Sequence, residues 1–198
     1  MARTIAKDYD DKRRLILEHA AEVFASEGFG RASVNQVAQA CNISKANIYH
    51  YYASKDEILF DILDSYLSDL RDRVFGLDLT GLSAEDQFRK TVTEILLAYK
   101  GSDNEHRVQT SGINHLPSEQ QAILTGYQRE LVGHVGNLVD AMAPDVFDGD
   151  QAKLRATTMS VFGMLNWFYM WNSDADADAR KYYADLICNM CQRGIPGL

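Results

Sequence analysis

Apolar residues recur three and four positions apart along almost the whole chain, and this spacing places them on one face of an α-helix. No stretch alternates polar and apolar residues in the way that a half-buried β-strand requires. The chain has only 3 prolines among its 198 residues, so few positions would interrupt a helix. The sequence therefore predicts an all-α fold, which we divide into nine helices.

Capping residues set several helix boundaries. Asp10 or Asp11 is expected to begin the first helix, and Gly28 suits the left-handed conformation that commonly ends one. Ser33 is expected to begin a short second helix. The segment 143–149 is predicted to be a loop between two later helices.

The longest uncharged run, residues 156–173, has the 18-residue length at which a membrane span becomes conceivable. It contains several polar residues, Asn166 among them, so a buried helix explains it better. The charged N-terminal residues contain no apolar segment of the kind found in secretory signals. Because 3 cysteines do not make a disulfide framework, we expect a cytoplasmic protein that does not associate with membranes.

Charge is distributed unevenly along the chain. Residues 1–55 hold 8 Lys or Arg against 6 Asp or Glu, a balance of +2, whereas residues 56–198 hold 12 against 22, a balance of −10. A polyanion such as nucleic acid would repel the second segment unless that segment faced away. Only the first quarter of the chain is therefore expected to approach nucleic acid.

The segment 33–55 has the organisation of a helix-turn-helix. Two short helices, capped by Ser33 and Ser44, are joined by a three- or four-residue turn, in which Asn42 can adopt a positive φ. A longer supporting helix follows from Ser54. The second short helix fits a DNA major groove, which is about 12 Å wide.

The composition of this second helix suits DNA contact better than a purely structural helical corner, which is the other explanation. Ile43, Ile48 and Tyr52 are spaced to anchor it on the core, which leaves polar, basic and aromatic side chains outside. Lysine and asparagine can donate hydrogen bonds to guanine and adenine edges, whereas tyrosine, histidine and helix N-termini suit phosphate oxygens. The candidate DNA-binding residues are Ser33, Ser44, Lys45, Ala46, Asn47, Tyr49, His50, Tyr51 and Lys55.

Residues 34–59, VNQVAQACNISKANIYHYYASKDEIL, closely resemble the signature of TetR-family transcriptional regulators, roughly T-x-x-x-I-A-x-x-A-G-V-S-x-x-x-L-Y-x-H/Y-F-x-S-K-E-x-L. The turn, cap, Leu-Tyr and Ser-Lys elements recur in register. Ser33 replaces the threonine, Cys41 and Asn42 replace Ala-Gly, and Ile48 replaces the leucine, all sterically mild changes.

The resemblance implies a homodimer that binds a DNA operator of dyad symmetry and usually represses. It also implies an effector in the C-terminal domain that changes the distance between the two DNA-reading heads. On this basis we expect a DNA-binding domain over residues 1–55, a connecting helix over 55–76, and a ligand-binding and dimerisation domain over 77–198.

Two C-terminal segments, residues 115–121 and 162–167, resemble the branch of this family that senses CoA thioesters, which includes regulators of phenylacetate and fatty-acid breakdown. That likeness implies basic groups for the CoA phosphates, for which Arg107, Arg129 and Lys153 are candidates. Candidate ligand contacts on one aromatic helix are Phe162, Asn166, Trp167 and Tyr169. Asn166 is the preferred polar contact, since a buried amide needs a partner.

The same aromatic helix is apolar on all sides. This leaves three uses open for its different faces: packing in the core, forming the dimer interface and lining the ligand site. We expect the last two helices to form the dimer interface, as a four-helix bundle with their copies. A sensor of drugs or lipophilic cations is an alternative to a CoA sensor, because aromatic rings and an acidic domain attract cations.

Other motifs point to ordinary structural roles. Cys188 and Cys191 have C-x-x-C spacing, but no second pair of ligands at zinc spacing accompanies them, so buried apolar cysteines are expected. The acidic stretch from Asp174 lacks the glycine and glutamate of a calcium loop. The spacing of His106, His115 and His134 does not form a metal-binding pattern. We therefore predict that each side chain is either hydrogen-bonded within the protein or exposed.

The sequence contains no G-x-S-x-G and no glycine-rich phosphate loop. We therefore predict that the chain is not an enzyme and needs no cofactor. A helical enzyme or an interaction module without DNA binding is the remaining alternative.

Overall fold

Ten α-helices and one 3₁₀-helix make up the regular structure of the part that the computed structural model describes, residues 2–194, with the backbone alone for residues 2–8. In chain order these are α1 (Ala2–Glu27), α2 (Val34–Ala40), α3 (Lys45–Ile48), α4 (Lys55–Phe75), α5 (Ala84–Ala98), α6 (Asp103–Gly112), the 3₁₀-helix (Ile113–His115), α7 (Ser118–Met142), α8 (Pro144–Phe147), α9 (Gln151–Trp171) and α10 (Ala177–Arg193). These residues contain no β-strand, which confirms the predicted all-α fold.

One predicted helix boundary and one predicted loop were wrong. The first helix begins at Ala2 instead of at Asp10 or Asp11, because no proline or glycine precedes these residues and a possible cap does not oblige a helix to start. The predicted loop 143–149 contains the single turn α8, with Pro144 at its first position. A helix of four residues is too short to produce an apolar periodicity.

Contacts divide the chain into two compact units. Within the described residues, the first unit runs to Leu67 and includes Asn104–Leu124, and the second comprises Ser68–Asp103 and the residues from Thr125 onward. The helices α4 and α7 contribute to both units. The functional boundary predicted between residues 55 and 77 falls within α4 and stays a prediction.

The core of the first unit forms around α1, α2 and α3. Ile16, Ala20 and Phe24 lie at helical spacing on α1 and are buried. Val37 on α2 and Ile48 on α3 are completely buried. The two short helices are therefore held by apolar contacts, since helices of this length are not stable by themselves.

The second unit is organised around the pair α5 and α10. Arg180 on α10 is fully buried there, and its guanidinium donates to the main-chain oxygens of Ala175, at 3.0 Å, and Leu96, at 3.3 Å. It also lies 3.4 Å from a carboxylate oxygen of Asp103 and 5.4 Å from the centre of the Phe168 ring. A buried charge requires such partners. Arg180 thereby joins α5, the start of α6 and the segment before α10.

The helix α9 carries the long uncharged run, but only one side of it is buried. Val161, Leu165 and Phe168 face the core of the second unit, whereas Trp167 and Met170 are exposed on the other side. The prediction of a buried helix therefore applies to one face. No helix within residues 2–194 combines the length and the apolar character that crossing a membrane requires.

Candidate functional site

The N-termini of α2 and α3 are capped as the sequence predicts. The backbone N–H of Gln36 donates to Ser33 Oγ, and the Ser33 N–H donates to Gln36 Oε1 at 2.9 Å, which completes a capping box. At α3, the N–H of Asn47 donates to Ser44 Oγ at 3.1 Å. Each cap stabilises its helix by about 1 kcal/mol.

The turn between the two helices is short and fixed. Asn42 has a φ of 53°, the left-handed conformation that its side chain tolerates. Behind it, the N–H of Ile43 donates to the main-chain oxygen of Ala38 at 3.0 Å. Ile48 and Tyr52 are buried as the predicted anchors, and Ile43 is half-buried. The segment 33–52 is therefore a helix-turn-helix with α3 as its second helix.

The side chains proposed for DNA contact line the outer side of α3 and the residues just after it. Lys45, Ala46 and His50 are exposed, Tyr49 is 48% exposed, and Asn47 is half-buried. The Lys45 ammonium lies 5.7 Å from the centre of the Tyr49 ring. This arrangement presents one cation and one phenol to solvent side by side.

Tyr51 differs from these residues because its ring is half-buried against α1. The ring centres of Tyr9 and Tyr51 lie 4.8 Å apart, with 30° between their planes. This contact holds the Tyr51 ring in place and leaves its outer edge accessible.

The Lys55 side chain forms hydrogen bonds within the first unit. Its ammonium donates to the main-chain oxygens of Phe29, at 2.7 Å, and Ala32, at 2.9 Å. An ammonium has three N–H groups, so at most one remains for a phosphate. The structure thus gives Lys55 a structural role that the sequence did not indicate.

Arg13 and Asp61 also belong to this site, although neither is a candidate from the sequence. Arg13 on α1 forms a two-point ion pair with Asp61 on α4, and both contact the hydroxyl of Tyr52. Burial, and then the hydrogen bond to Asp61, raise the pKa of Tyr52 above its ordinary value. One signal was available, because a buried tyrosine hydroxyl calls for a polar partner.

The candidate ligand contacts on α9 do not share one face. Phe162 is buried, and Asn166 and Tyr169 are half-buried at helical spacing from it. Trp167 is 60% exposed on the other side, so it cannot line the same internal site as Phe162 within one protomer. The Asn166 amide oxygen accepts a hydrogen bond of 2.8 Å from the hydroxyl of Tyr99, which is buried directly after the end of α5.

The basic candidates lie on three different helices. Arg107 is exposed on α6 in the first unit, and Arg129 is exposed on α7 in the second. Lys153, on α9, donates to the main-chain oxygen of Val146 at 2.8 Å and so stabilises the end of α8. The ammonium of Lys153 is therefore occupied by a local contact.

The cysteine and histidine side chains considered as possible ligands do not form a metal site in the described chain. Cys188 is buried as predicted, whereas Cys191 is exposed, contrary to the expectation for both cysteines. His106 is buried in a 2.7 Å hydrogen bond with Tyr66, and His115 is exposed. Within the described chain, no three His, Cys, Asp or Glu side chains are grouped in a way that could hold a metal ion.

The helix-turn-helix and the C-terminal helices each match a known family model. The model of bacterial regulatory proteins of the tetR family matches residues 16–62, and the model of the tetracyclin repressor-like C-terminal domain matches residues 81–195. The second match alone covers more than half of the chain. Both describe regulators rather than enzymes, in agreement with the prediction.

Two solved structures show how far the likeness extends. A TetR-family regulator from Bordetella parapertussis is 29% identical, with a TM-score of 0.87, over 94% of this chain and 96% of that one. AibR, solved with isovaleryl coenzyme A and operator DNA, is 21% identical, with a TM-score of 0.74, over 90% of this chain and 96% of its own. At this lower identity the likeness to AibR concerns the fold alone.

Curated relatives match over shorter stretches. An HTH-type regulator of Bacillus subtilis, YuxN, is 34% identical over 42% of this chain, and the repressor KstR2 of Rhodococcus jostii is 26% identical over 56% of it. The matched stretches span 28% and 54% of the lengths of these two proteins. With both family models matched in order along the sequence, the chain belongs to the TetR family of bacterial transcriptional regulators.

Proposed function

We propose that the chain is a homodimeric repressor that binds a DNA operator of dyad symmetry through α3 and releases it when a CoA thioester binds the C-terminal domain. The observation that carries the DNA-binding part is the outer surface of α3. Lys45 and Tyr49 lie side by side and exposed, and Asn47 is half-buried, on a short helix that is capped by Ser44 and anchored by Ile48. A regulator of this kind acts in the bacterial cytoplasm.

Base reading is assigned to Lys45 and Asn47. An ammonium can donate to guanine and a carboxamide can pair with adenine, and each good contact contributes about 1–3 kcal/mol of discrimination. Phosphate contact is assigned to Tyr49, His50 and Tyr51, to the third N–H of Lys55, and to the helix N-termini at Ser33 and Ser44. Ala46, which has a small side chain, allows a close approach to the groove.

The exposed side of α9 supports the homodimer. Trp167, Trp171, Met159 and Met170 are each between 46% and 60% exposed, and they lie on one helix. Several large apolar side chains exposed on one helix are costly to leave in water and favour burial against a partner. Two copies that meet through α9 and α10 would form a four-helix bundle. Two-fold symmetry would then place two copies of α3 on one operator.

The proposal of a CoA thioester effector has two supports. The first is the resemblance of residues 115–121 and 162–167 to CoA-sensing regulators. The second is that AibR, which has the same fold, was solved with isovaleryl coenzyme A. Arg129 is assigned to the phosphates, and the face of α9 with Phe162, Asn166 and Tyr169, in the same unit, is assigned to the acyl group. Trp167 is then left to the dimer interface.

The proposal is tested by mobility shift with the DNA fragment upstream of the protein's own gene, at several salt concentrations. We expect a complex that weakens steeply as salt increases, because phosphate contacts release counterions. Phenylacetyl-CoA, isovaleryl-CoA, a long-chain acyl-CoA and a cationic dye are then titrated into it. Release by a thioester but not by free CoA supports the effector, and release by the dye alone overturns it. Absence of any DNA complex overturns the whole function.

A further inference from the structure

One hydroxyl group, just after the short helix α3, forms hydrogen bonds with side chains on α1 and α4. Tyr52, four residues after the end of α3, has a buried ring, and its hydroxyl lies 2.5 Å from Asp61 Oδ2 on α4. The Nε of Arg13, on α1, lies 3.2 Å from the same hydroxyl. Elements from three parts of the first unit therefore converge on a single oxygen atom.

The ion pair behind this hydroxyl has a fixed geometry. Arg13 Nε donates to Asp61 Oδ2 at 3.0 Å, and Arg13 Nη2 donates to Asp61 Oδ1 at 2.7 Å. Two parallel hydrogen bonds fix the plane of the carboxylate as well as its distance. The Asp61 side chain is 16% exposed, so water competes little for it. The carboxylate is thus a rigid acceptor for the Tyr52 hydroxyl.

A helix of four residues has no stability of its own, so its position depends on its anchors. Ile48 supplies an apolar contact, which is non-directional and tolerates small rotations. The Tyr52 hydroxyl supplies a directional contact, which weakens when the angle changes. The hydrogen bonds that read bases require placement within about 0.5 Å.

We infer that Arg13, Asp61 and Tyr52 form a positioning cluster that fixes the orientation of α3, so that operator specificity depends on three residues that read no base. This inference rests on the proposed DNA-binding function. Arg13 and Asp61 are positioning residues because they act on α3 through the Tyr52 hydroxyl. Removing a member of the cluster should therefore reduce discrimination between DNA duplexes while the phosphate contacts are kept.

The test compares Tyr52→Phe and Asp61→Asn with the wild-type chain. Tyr52→Phe removes only the hydroxyl, and Asp61→Asn keeps the side-chain shape while removing the charge. Asp69→Asn is the matched control, since Asp69 is an exposed residue of α4 and its substitution changes the net charge equally. Affinity is measured for a duplex selected by the wild type from a random pool and for an unrelated duplex of equal length, at three salt concentrations.

We expect both cluster variants to reduce the ratio of the two affinities about tenfold, with the dependence on salt unchanged and with Asp69→Asn equal to the wild type. Amide NMR signals of residues 45–52 should shift in Tyr52→Phe while those of the second unit stay in place. Arg13→Lys, which keeps the charge but loses the two-point pair, should lie between the wild type and Arg13→Gln.

Two outcomes overturn the inference while the proposed function stands. In the first, the variants bind both duplexes with an unchanged ratio, even if their melting temperature falls. In the second, Arg13→Gln reduces the salt dependence, which would mean that Arg13 itself contacts a phosphate. Failure of the wild type to bind any duplex overturns both the inference and the proposed function, so the two failures are distinguishable.

Discussion

The ammonium of Lys55 lies 2.7 Å from the main-chain oxygen of Phe29 and 4.3 Å from the centre of the Phe29 ring. The contact joins the first residue of α4 to the loop that leads from α1 into α2. The carbonyl oxygens of this loop have no helix to bond within, and a buried carbonyl without a donor is costly. Lys55 satisfies two of them and thereby fixes the support helix beside the helix-turn-helix.

Replacing Lys55 by methionine should therefore lower stability more than it changes the salt dependence of DNA binding. We expect the free energy of unfolding to fall by about 1–2 kcal/mol, because two charge-assisted hydrogen bonds are lost. Urea unfolding followed by circular dichroism measures this change. Lys45→Met is the control, since Lys45 is exposed and its loss should leave stability within about 0.5 kcal/mol. Equal stability of the two variants would contradict the assignment.

Asn47 and Tyr49 should separate base reading from phosphate contact. Asn47→Ala should lower affinity for the selected duplex by about 1–3 kcal/mol and leave affinity for an unrelated duplex nearly unchanged. Tyr49→Phe should weaken binding to both duplexes alike, because a phosphate contact carries no sequence information. Fluorescence anisotropy with labelled duplexes measures both. Equal losses on the two duplexes for Asn47→Ala would remove its role in reading bases.

The local features of the helix-turn-helix were accessible from sequence because each depends on a few neighbouring residues. The Ser33 and Ser44 caps and the left-handed Asn42 involve contacts within four positions along the chain. The Arg13–Asp61 pair joins residues 48 positions apart, and no local pattern identifies such a partner. The buried position of Arg180 was inaccessible for the same reason, because its carbonyl and carboxylate partners come from three separate segments.

The ligand contacts show a second limit of the sequence. An α-helix that is apolar on all sides does not reveal which side faces the core, so the sequence predicts Phe162 and Trp167 alike as ligand contacts. The structure buries the first and exposes the second. Packing against α5 decides between the faces, through contacts such as the hydrogen bond from Tyr99 to Asn166. That choice depends on tertiary structure.

His134 should make stability depend on pH. Its ring lies 5.1 Å from that of Phe75, its Nε2 is buried without a hydrogen-bond partner among the described residues, and burial lowers its pKa below the usual 6.5. The unfolded chain therefore binds a proton more readily than the folded one. The free energy of unfolding should therefore not depend on His134 above about pH 6.5, and it should decrease as the pH falls below that value.

Urea unfolding between pH 5 and pH 7.5 tests this dependence. His134→Leu removes the titrating group, so the free energy of unfolding should fall less between neutral and acidic pH than in the wild type. His50→Gln is the control, since His50 is exposed on the helix-turn-helix, and it should keep the wild-type dependence. An identical pH profile for His134→Leu and the wild type would show that His134 does not carry the effect.

Trp167 should be required for dimerisation rather than for the fold of a single chain. Because Trp167 is 60% exposed, Trp167→Lys should disturb the fold of the single chain little while placing a charge in the middle of the proposed interface. A charge buried at an interface without a partner costs several kcal/mol. We expect sedimentation velocity to show the wild type as a dimer and Trp167→Lys as a monomer with unchanged helical content.

Ile123→Lys is the matched control, because Ile123 is an exposed apolar residue on α7, at 45%. It should remain dimeric. A dimeric Trp167→Lys would place the interface away from this face of α9, and the two α3 helices would then need another arrangement to reach one operator.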